Sequence, residues 1–179
     1  MLQKSSMEET IAFFFQYPTK GHSLMEISKA IGVAHTSVKQ NLKDLTKRGF
    51  ITETIEKKGK RKFPLYTAQR NEKHFQQQKM LYNISSLLDT NIISFLEEKL
   101  APKAIVLFGS YRRGEDIETS DIDIFLECKK EACDLTQLEK KLNRKIELHF
   151  QEHFSSYPKE LKNNIINGIV LYGFLEGYK

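Results

Sequence analysis

The residues with the clearest capacity for chemistry are the pair Gly109-Ser110 and the two carboxylates Asp121 and Asp123. The pair follows an apolar run at 104–108, which predicts a strand that turns into the start of a helix. Backbone N–H groups at such a turn favour a phosphate group. Side chains two apart on a strand share a face, and carboxylate oxygens suit Mg²⁺. The spacing therefore predicts a phosphate-binding turn beside a divalent-metal site.

A third carboxylate lies in another predicted strand. Glu147 belongs to the mostly apolar run at 145–150, where a lone charge would be costly to bury unless it is paired or bound to a metal. We expect Glu147 to complete a site for two divalent ions, and a structural ion pair is the alternative. His149 would share a strand face with Glu147, but an isolated histidine is more often structural than functional.

The combined pattern resembles the minimal nucleotidyltransferases of the DNA polymerase β-like superfamily, over about residues 90–173. The matching positions are Gly109, Ser110, Gly114, Asp121 and Asp123. The resemblance implies transfer of a nucleoside monophosphate from a nucleoside triphosphate to an acceptor. Our hypothesis is that AMP is moved from ATP to a protein or RNA acceptor. The resemblance also implies Mg²⁺ (or Mn²⁺) as the cofactor, held by the two aspartates.

The same resemblance assigns further roles around the turn. Glu147 would share one metal and orient the acceptor hydroxyl, and Gly109 and Ser110 would bind the β- and γ-phosphates. We expect Arg113 and Gly114 to belong to the nucleotide-binding set, although Arg112 and Arg113 are equally compatible with a solvated helix face. The family commonly has Asp where this chain has Glu147, and a small residue where it has Arg112. Relatives of this size often act as antitoxins or resistance factors, which implies a toxin as one possible partner.

Positive charge is concentrated in the first part of the chain. Residues 1–70 hold 13 Lys and Arg against 6 Asp and Glu, whereas residues 71–179 hold 15 against 17. A basic segment attached to a slightly acidic one suggests a nucleic-acid-binding module joined to a second domain.

The basic segment shows three predicted helices and a glycine-centred basic hairpin. This order resembles the winged helix-turn-helix regulators, over about residues 6–68. A polar stripe on the third helix and the cations of the hairpin would contact base edges and phosphates of duplex DNA. The predicted DNA-binding residues are Thr36, Gln40, Lys43, Lys47, Lys58, Lys60 and Arg61. Protein docking and a solvated cationic face are alternatives, and the residues do not distinguish DNA from RNA.

The predicted fold is α+β with two domains. Residues 1–69 would form the winged helix-turn-helix domain, 70–89 a connecting helix, and 90–179 a small mixed-sheet nucleotidyltransferase domain flanked by helices. An apolar stripe across 80–96 predicts packing within or between the domains, with a homodimer interface as the sharper alternative. No apolar run reaches the roughly 18 residues of a membrane span.

Two hypotheses of function follow. The first is a cytoplasmic DNA-binding nucleotidyltransferase with no membrane partner, because a secretory signal is lacking and the free thiols of Cys128 and Cys133 suggest a reducing compartment. The second is a transcriptional regulator whose C-terminal domain senses a nucleotide without turning it over. An intact set of three carboxylates favours the enzyme, because a sensor need not keep all three.

Overall fold

The structure, a computed structural model, describes residues 4–58 and 61–176. The chain divides into two compact units, Met1–Lys79 and Met80–Lys179. Both helices and sheets are present, which makes this a mixed α+β protein. Within the described ranges, no helix combines the length and the apolar character that crossing a membrane requires.

The first unit consists of three helices, a two-stranded hairpin and the beginning of a fourth helix. The elements are α1 (Ser6–Gln16), α2 (Leu24–Ile31), α3 (His35–Lys47), β1 (Ile51–Lys58), β2 (Arg61–Ala68) and α4 (Lys73–Asp89). β1 and β2 are antiparallel, and one further bridge joins His22 to Tyr66 of β2. Ser23 and Glu26 form a capping box at the start of α2, which satisfies two backbone N–H groups that the helix leaves free.

The helices of the first unit pack through large apolar side chains. Phe14, Ile27, Val38, Leu42 and Leu45 are all exposed by no more than 1%. The last three occupy one face of α3 at helical spacing, so the opposite, polar face of this helix points to solvent.

The second unit is a four-stranded mixed sheet with helices on both faces. Its elements after α4 are α5 (Ile92–Leu100), β3 (Ala104–Phe108), α6 (Gly109–Arg113), β4 (Ile122–Leu126), α7 (Thr136–Leu142), β5 (Ile146–Phe150), a 3₁₀ turn (Phe154–Ser156), α8 (Lys159–Ile166) and β6 (Ile169–Gly173). The strand order is β5-β4-β3-β6. β4 and β5 are parallel, whereas β3 is antiparallel to both β4 and β6.

The alternation of side chains along β4 decides which face of the sheet holds the candidate site. Ile122 and Ile124 belong to a core cluster that includes residues of α4, α5 and α7. Phe125 belongs to the cluster on the other face, with Phe154 and with Ile165 of α8. Asp123 alternates with the two isoleucines, so it lies on the face with Phe125.

The helical region over 73–100 is divided near Asn91. α4 ends at Asp89, and the next helix begins after Asn91, whose φ of 60° is left-handed. The apolar stripe of this region is partly buried. Leu87 is fully buried in the core of the second unit, while Leu81 and Leu88 remain about half exposed. The interior packing role of the stripe is thus evident for its central part.

The last strand, β6, pairs with β3 from Ala104 opposite Gly173 to Leu107 opposite Ile169. Pairing between segments more than 60 residues apart depends on tertiary structure, which local sequence signals do not report.

Candidate functional site

The predicted glycine turn joins β3 directly to α6. Gly109 has a φ of +74°, and a Cβ at this position would collide with Oδ2 of Asp123. A residue with a side chain would therefore meet both backbone strain and a steric clash. Gly114, with a φ of 69°, ends α6 after only five residues. Both glycines are required by the backbone, and Gly109 brings the turn against the Asp123 carboxylate.

Two of the three predicted carboxylates meet across adjacent strands. Asp123 on β4 is paired in register with Glu147 on the parallel strand β5. Asp123 is half-buried and Glu147 is exposed. One ligand atom of each, together with a nitrogen of His149, form a group in which all atoms lie within 4.8 Å of one another. The sheet register therefore creates a compact cluster of possible metal ligands.

His149, which was expected to be structural, belongs to this cluster. Its Nε2 lies 3.3 Å from Oδ1 of Asp123. This hydrogen bond raises the pKa of His149, burial opposes the shift, and the charges of Glu147 and Asp123 add to it. The imidazole also packs edge-on against the Phe108 ring, with 5.0 Å between ring centroids. The signal that could have indicated its role was its position two residues after Glu147 on the same strand.

Asp121 occupies a different place from its predicted partner. It is exposed, directly precedes β4, and does not belong to the ligand group found among the described residues. It lines a neighbouring cavity of about 430 Å³ at the amino ends of β4 and β5. There, Lys145 has a raised pKa, mainly through its hydrogen bond with Glu139 and also through the charge of Asp121. As a metal ligand, Asp121 stays a prediction.

The two arginines after the turn differ in their surroundings. Arg113 donates from Nε to Oε2 of Glu115 at 2.6 Å, and both side chains are almost half exposed. This ion pair neutralises the charge of Arg113, which was expected to contact the nucleotide. Nε of Arg112 is buried and has no hydrogen-bond partner within the described ranges. This buried, unsatisfied donor on α6 thus belongs to Arg112, at a position where the family was expected to have a small residue.

Aromatic side chains cover the sheet beside the cluster. The ring of Phe125 packs edge-to-face against Phe154 and Tyr157, with centroid distances of 5.8 and 5.5 Å. Burial raises the pKa of the Tyr157 phenol, and the charge of Glu147 raises it further. The carboxylates thus border an apolar wall rather than a fully solvated surface.

A buried polar network supports the loop between α6 and β4. Nδ2 of Asn83 donates to the Tyr111 carbonyl at 2.9 Å and to Oδ1 of Asp116 at 2.8 Å. Nη2 of Arg144 lies 4.0 Å from Oδ2 of Asp116. All three polar side chains are buried, so their hydrogen bonds are structurally important. Local sequence patterns do not indicate this network, because its members are 33 and 28 residues apart along the chain.

The predicted nucleic-acid-binding residues fall into two groups. Those on α3, namely Thr36, Gln40, Lys43 and Lys47, are all exposed and line a concavity of about 950 Å³ that also includes Tyr66 of β2. The side-chain amide of Gln40 donates to both carboxylate oxygens of Asp44 at 3.2 Å. Of the hairpin cations, Lys60 lies outside the described residues, as do the side chains of Lys58 and Arg61.

A comparison with protein families finds a match within the second unit. Residues 90–174 match the family described as polymerase beta, nucleotidyltransferase. The matched segment includes the whole mixed sheet, the turn at Gly109 and the ligand cluster.

Two curated proteins of Methanocaldococcus jannaschii are similar to a short part of the chain. The two relatives, MJ1215 and MJ1379, are both named as proposed protein adenylyltransferases. Each is 59% identical over 32 residues, which cover 18% of this chain and 37% or 32% of the relative. The match thus spans about a third of the length of these relatives. No solved structure matches the chain significantly.

Proposed function

We propose, from the polymerase beta nucleotidyltransferase domain that residues 90–174 form, that the second unit transfers AMP from ATP to a hydroxyl of a protein or RNA acceptor. The observation that supports this best is the register pairing of Asp123 with Glu147 beside the turn at Gly109. Carboxylates and a glycine turn in this arrangement can bind the metal-bound phosphates of a nucleotide and position its reacting phosphorus.

The ligand cluster fits a divalent cation. Ligands of one such ion lie about 2.0–2.6 Å from it, so two of them are separated by about 3–5 Å. The 4.8 Å limit of the cluster meets this condition. When bound, Mg²⁺ or Mn²⁺ supplies neutralisation of phosphate charge and activation of an attacking oxygen. Asp123 and Glu147 would hold the ion, and Asp121 would join them through a change of its side-chain position.

The chain's own residues account for the remaining requirements of the transfer. The acceptor oxygen forms a bond to the α-phosphorus, the bond from that phosphorus to the β-phosphate bridging oxygen breaks, and pyrophosphate leaves. Glu147 orients the acceptor hydroxyl, whose proton passes to solvent. The Ser110 hydroxyl donates to a phosphate oxygen, and the unsatisfied Nε of Arg112 is a second donor on the same helix. In this proposal Arg113 is free to contact the triphosphate only after it leaves Glu115.

A protein acceptor is supported by the curated relatives, whose names propose protein adenylylation. Small nucleotidyltransferase sites are open, and Glu147 of the cluster is exposed here, so the acceptor would complete the pocket. A toxin protein is one candidate for this acceptor.

The test is incubation of the purified protein with ATP labelled at the α-phosphate, Mg²⁺ or Mn²⁺, and a cell extract as the source of acceptors. We expect a labelled product from the wild type and a loss of at least about 100-fold in Asp121→Ala and Asp123→Ala. Glu98→Ala is the matched control, because Glu98 is an exposed carboxylate on α5, which packs on the opposite face of the sheet. Equal labelling by the wild type and the Asp121/Asp123 double variant would refute the proposal.

For the first unit we propose a winged helix-turn-helix that binds duplex DNA. The three helices, the antiparallel hairpin and the His22–Tyr66 bridge support this assignment. α3 turns Lys43 and Lys47 toward solvent beside a concavity that extends to the hairpin, and such a surface suits a phosphate backbone. A homodimer would place two such surfaces on two half-sites.

The position of Asp121 favours a second candidate function. Because Asp121 lies outside the ligand group, the second unit could bind a nucleotide without transferring it and so regulate the DNA-binding unit. A titration of operator affinity against ATP, run beside a pyrophosphate assay, separates the two functions. Affinity that responds to ATP without pyrophosphate release supports the regulator, and pyrophosphate release that depends on Asp123 supports the enzyme.

A further inference from the structure

We propose that His149 is a ligand of the metal held by Asp123 and Glu147, and that its imidazole makes the site prefer a first-row transition-metal dication, with Mn²⁺ as the example, over Mg²⁺. This inference rests on the proposed function, because it concerns the same site. It goes further by assigning a nitrogen ligand and a metal preference.

The geometry of the cluster is the first support. Nε2 of His149 lies 3.3 Å from Oδ1 of Asp123. One ligand atom from each of Asp123, Glu147 and His149 lies within 4.8 Å of the other two. Adjacent ligands of an octahedral ion with bonds of about 2.1 Å lie about 3 Å apart. The His149 nitrogen and the Asp123 oxygen therefore have nearly the separation of two adjacent ligands, and Glu147 is close enough to reach the same ion after a small adjustment of its side chain.

The placement of the imidazole is the second support. His149 lies two residues after Glu147 on the same face of β5 and is paired in register with Phe125 of β4. Its ring packs against Phe108, the residue opposite Asp123 on β3. The side chain is only 21% exposed. Three strands thus hold the ring beside the carboxylates, so little conformational freedom would be lost when it binds an ion.

Ligand chemistry connects this geometry to metal preference. Mg²⁺ is a hard cation that takes oxygen ligands and retains several waters. Imidazole suits first-row transition metals such as Fe, Ni, Cu and Zn, and Mn²⁺, the weakest binder of the same series, also takes the carboxylates of a Mg²⁺ site. A set of two carboxylates and one imidazole consequently discriminates against Mg²⁺, whereas a set of three carboxylates does not.

The competing role for His149 is that of a hydrogen-bond partner that only orients Asp123. In that case the replacement of His149 would lower the affinity for every divalent cation to the same extent. The two roles therefore differ in the ratio of Mn²⁺ to Mg²⁺ affinity and in the presence of a metal-bound nitrogen.

The experiment uses the full-length protein with Mn²⁺ alone, followed by electron spin echo spectroscopy and by titration. We expect modulation from a ¹⁴N nucleus bound to Mn²⁺ in the wild type, and its replacement by the ¹⁵N pattern when histidine is labelled with ¹⁵N. In His149→Gln, which offers an oxygen in place of the nitrogen, we expect the nitrogen signal to vanish and Mn²⁺ affinity to fall about tenfold. Mg²⁺ affinity, measured by competition, should change by less than about twofold.

His153→Gln is the matched control, because His153 is an exposed histidine of the same segment and lies outside the cluster. It should retain the nitrogen signal and both affinities. Wild-type Mn²⁺ binding without nitrogen modulation would overturn the inference and leave the proposed transfer intact. Equal losses of Mn²⁺ and Mg²⁺ affinity in His149→Gln would also overturn it. Absence of any Mn²⁺ binding would overturn the inference as well, whereas the proposed transfer is judged separately by the labelled-ATP assay with Mg²⁺. The isotope comparison decides the matter even if His149→Gln does not fold.

Discussion

The carboxylate of Asp123 lies against the Cα of Gly109, in the space that a Cβ at position 109 would occupy. The turn and the carboxylate are therefore fitted to each other, although 14 positions separate them along the chain. Phe108 of β3 is opposite Asp123 in the antiparallel ladder, which brings the end of one strand beside the start of the other.

Replacing Gly109 by alanine should displace Asp123 and strain the backbone. We expect Gly109→Ala to reduce AMP transfer by at least about 100-fold, since a displacement of about 1 Å at a reacting group can have such an effect. The positive φ alone should cost about 1–2 kcal/mol of the free energy of unfolding. Labelled-ATP transfer and urea denaturation measure the two effects.

Gly32→Ala provides the control for this variant. Gly32 has a φ of +69°, but nothing lies within 4 Å of a Cβ built there. It should show the backbone strain and retain transfer activity. Full activity of Gly109→Ala would contradict the fitted arrangement of the turn and Asp123.

Asn83 should stabilise the loop that precedes β4. Asn83→Leu removes the donors to the Tyr111 carbonyl and to Asp116 while keeping a side chain of similar size. Leaving buried acceptors with fewer partners should lower the free energy of unfolding by about 1–3 kcal/mol, as measured by urea denaturation. Ser85→Ala changes an exposed residue of the same helix and should have an effect below about 0.5 kcal/mol. Similar stabilities of Asn83→Leu and Ser85→Ala would show that the network contributes little.

Glu139 should make stability depend on pH. Its carboxylate accepts from Nζ of Lys145 at 2.9 Å and from the Ile146 N–H at 3.1 Å, and these bonds, with Lys145 first, lower the pKa of Glu139. A group with a lowered folded-state pKa stabilises the protein above its ordinary pKa, and this contribution is lost as the pH falls through the lowered value.

The measurement is the melting temperature of the wild type and Glu139→Gln across acidic pH. The wild type should melt higher near pH 6, and the two curves should converge as the pH falls below about 4. Glu98→Gln should show no such convergence, because no partner of Glu98 is evident in the described part of the chain. A wild-type advantage that persists at about pH 3 would contradict the assignment.

Lys43 and Lys47 should account for part of the salt dependence of DNA binding. The double variant Lys43→Ala/Lys47→Ala should lower the slope of log affinity against log salt by about 1.8, as expected for two lost phosphate contacts. Fluorescence anisotropy with a labelled duplex measures the slope. The double variant Lys130→Ala/Lys141→Ala removes the same charge from exposed positions of the second unit and should leave the slope unchanged. Identical slopes for both double variants would exclude α3 from the interface.

Local signals were sufficient for much of the fold. The capping box of Ser23 and Glu26 and the apolar stripe of Val38, Leu42 and Leu45 depend on residues three or four apart, so such features are accessible to local spacing rules. The break between α4 and α5 near Asn91 likewise coincides with a polar segment that interrupts the apolar stripe.

The candidate site was predictable only in part. The carboxylates Asp123 and Glu147 were recognised from their strands, but their contact depends on the parallel register of β4 and β5. The same register brings His149 to Asp123 across 26 positions of sequence, and no spacing rule reports that approach. Asp121, which the alternation of side chains places beside Asp123, instead borders the neighbouring cavity just outside the strand.

The amino-acid sequence by itself determined the elements, the glycine turn and the residue types able to bind phosphate and metal, because these depend on backbone preferences and periodicities within a few residues. The tertiary structure alone decided which side chains share the site. Strand order and register set those distances, and both arise from packing two apolar faces of one sheet at the same time.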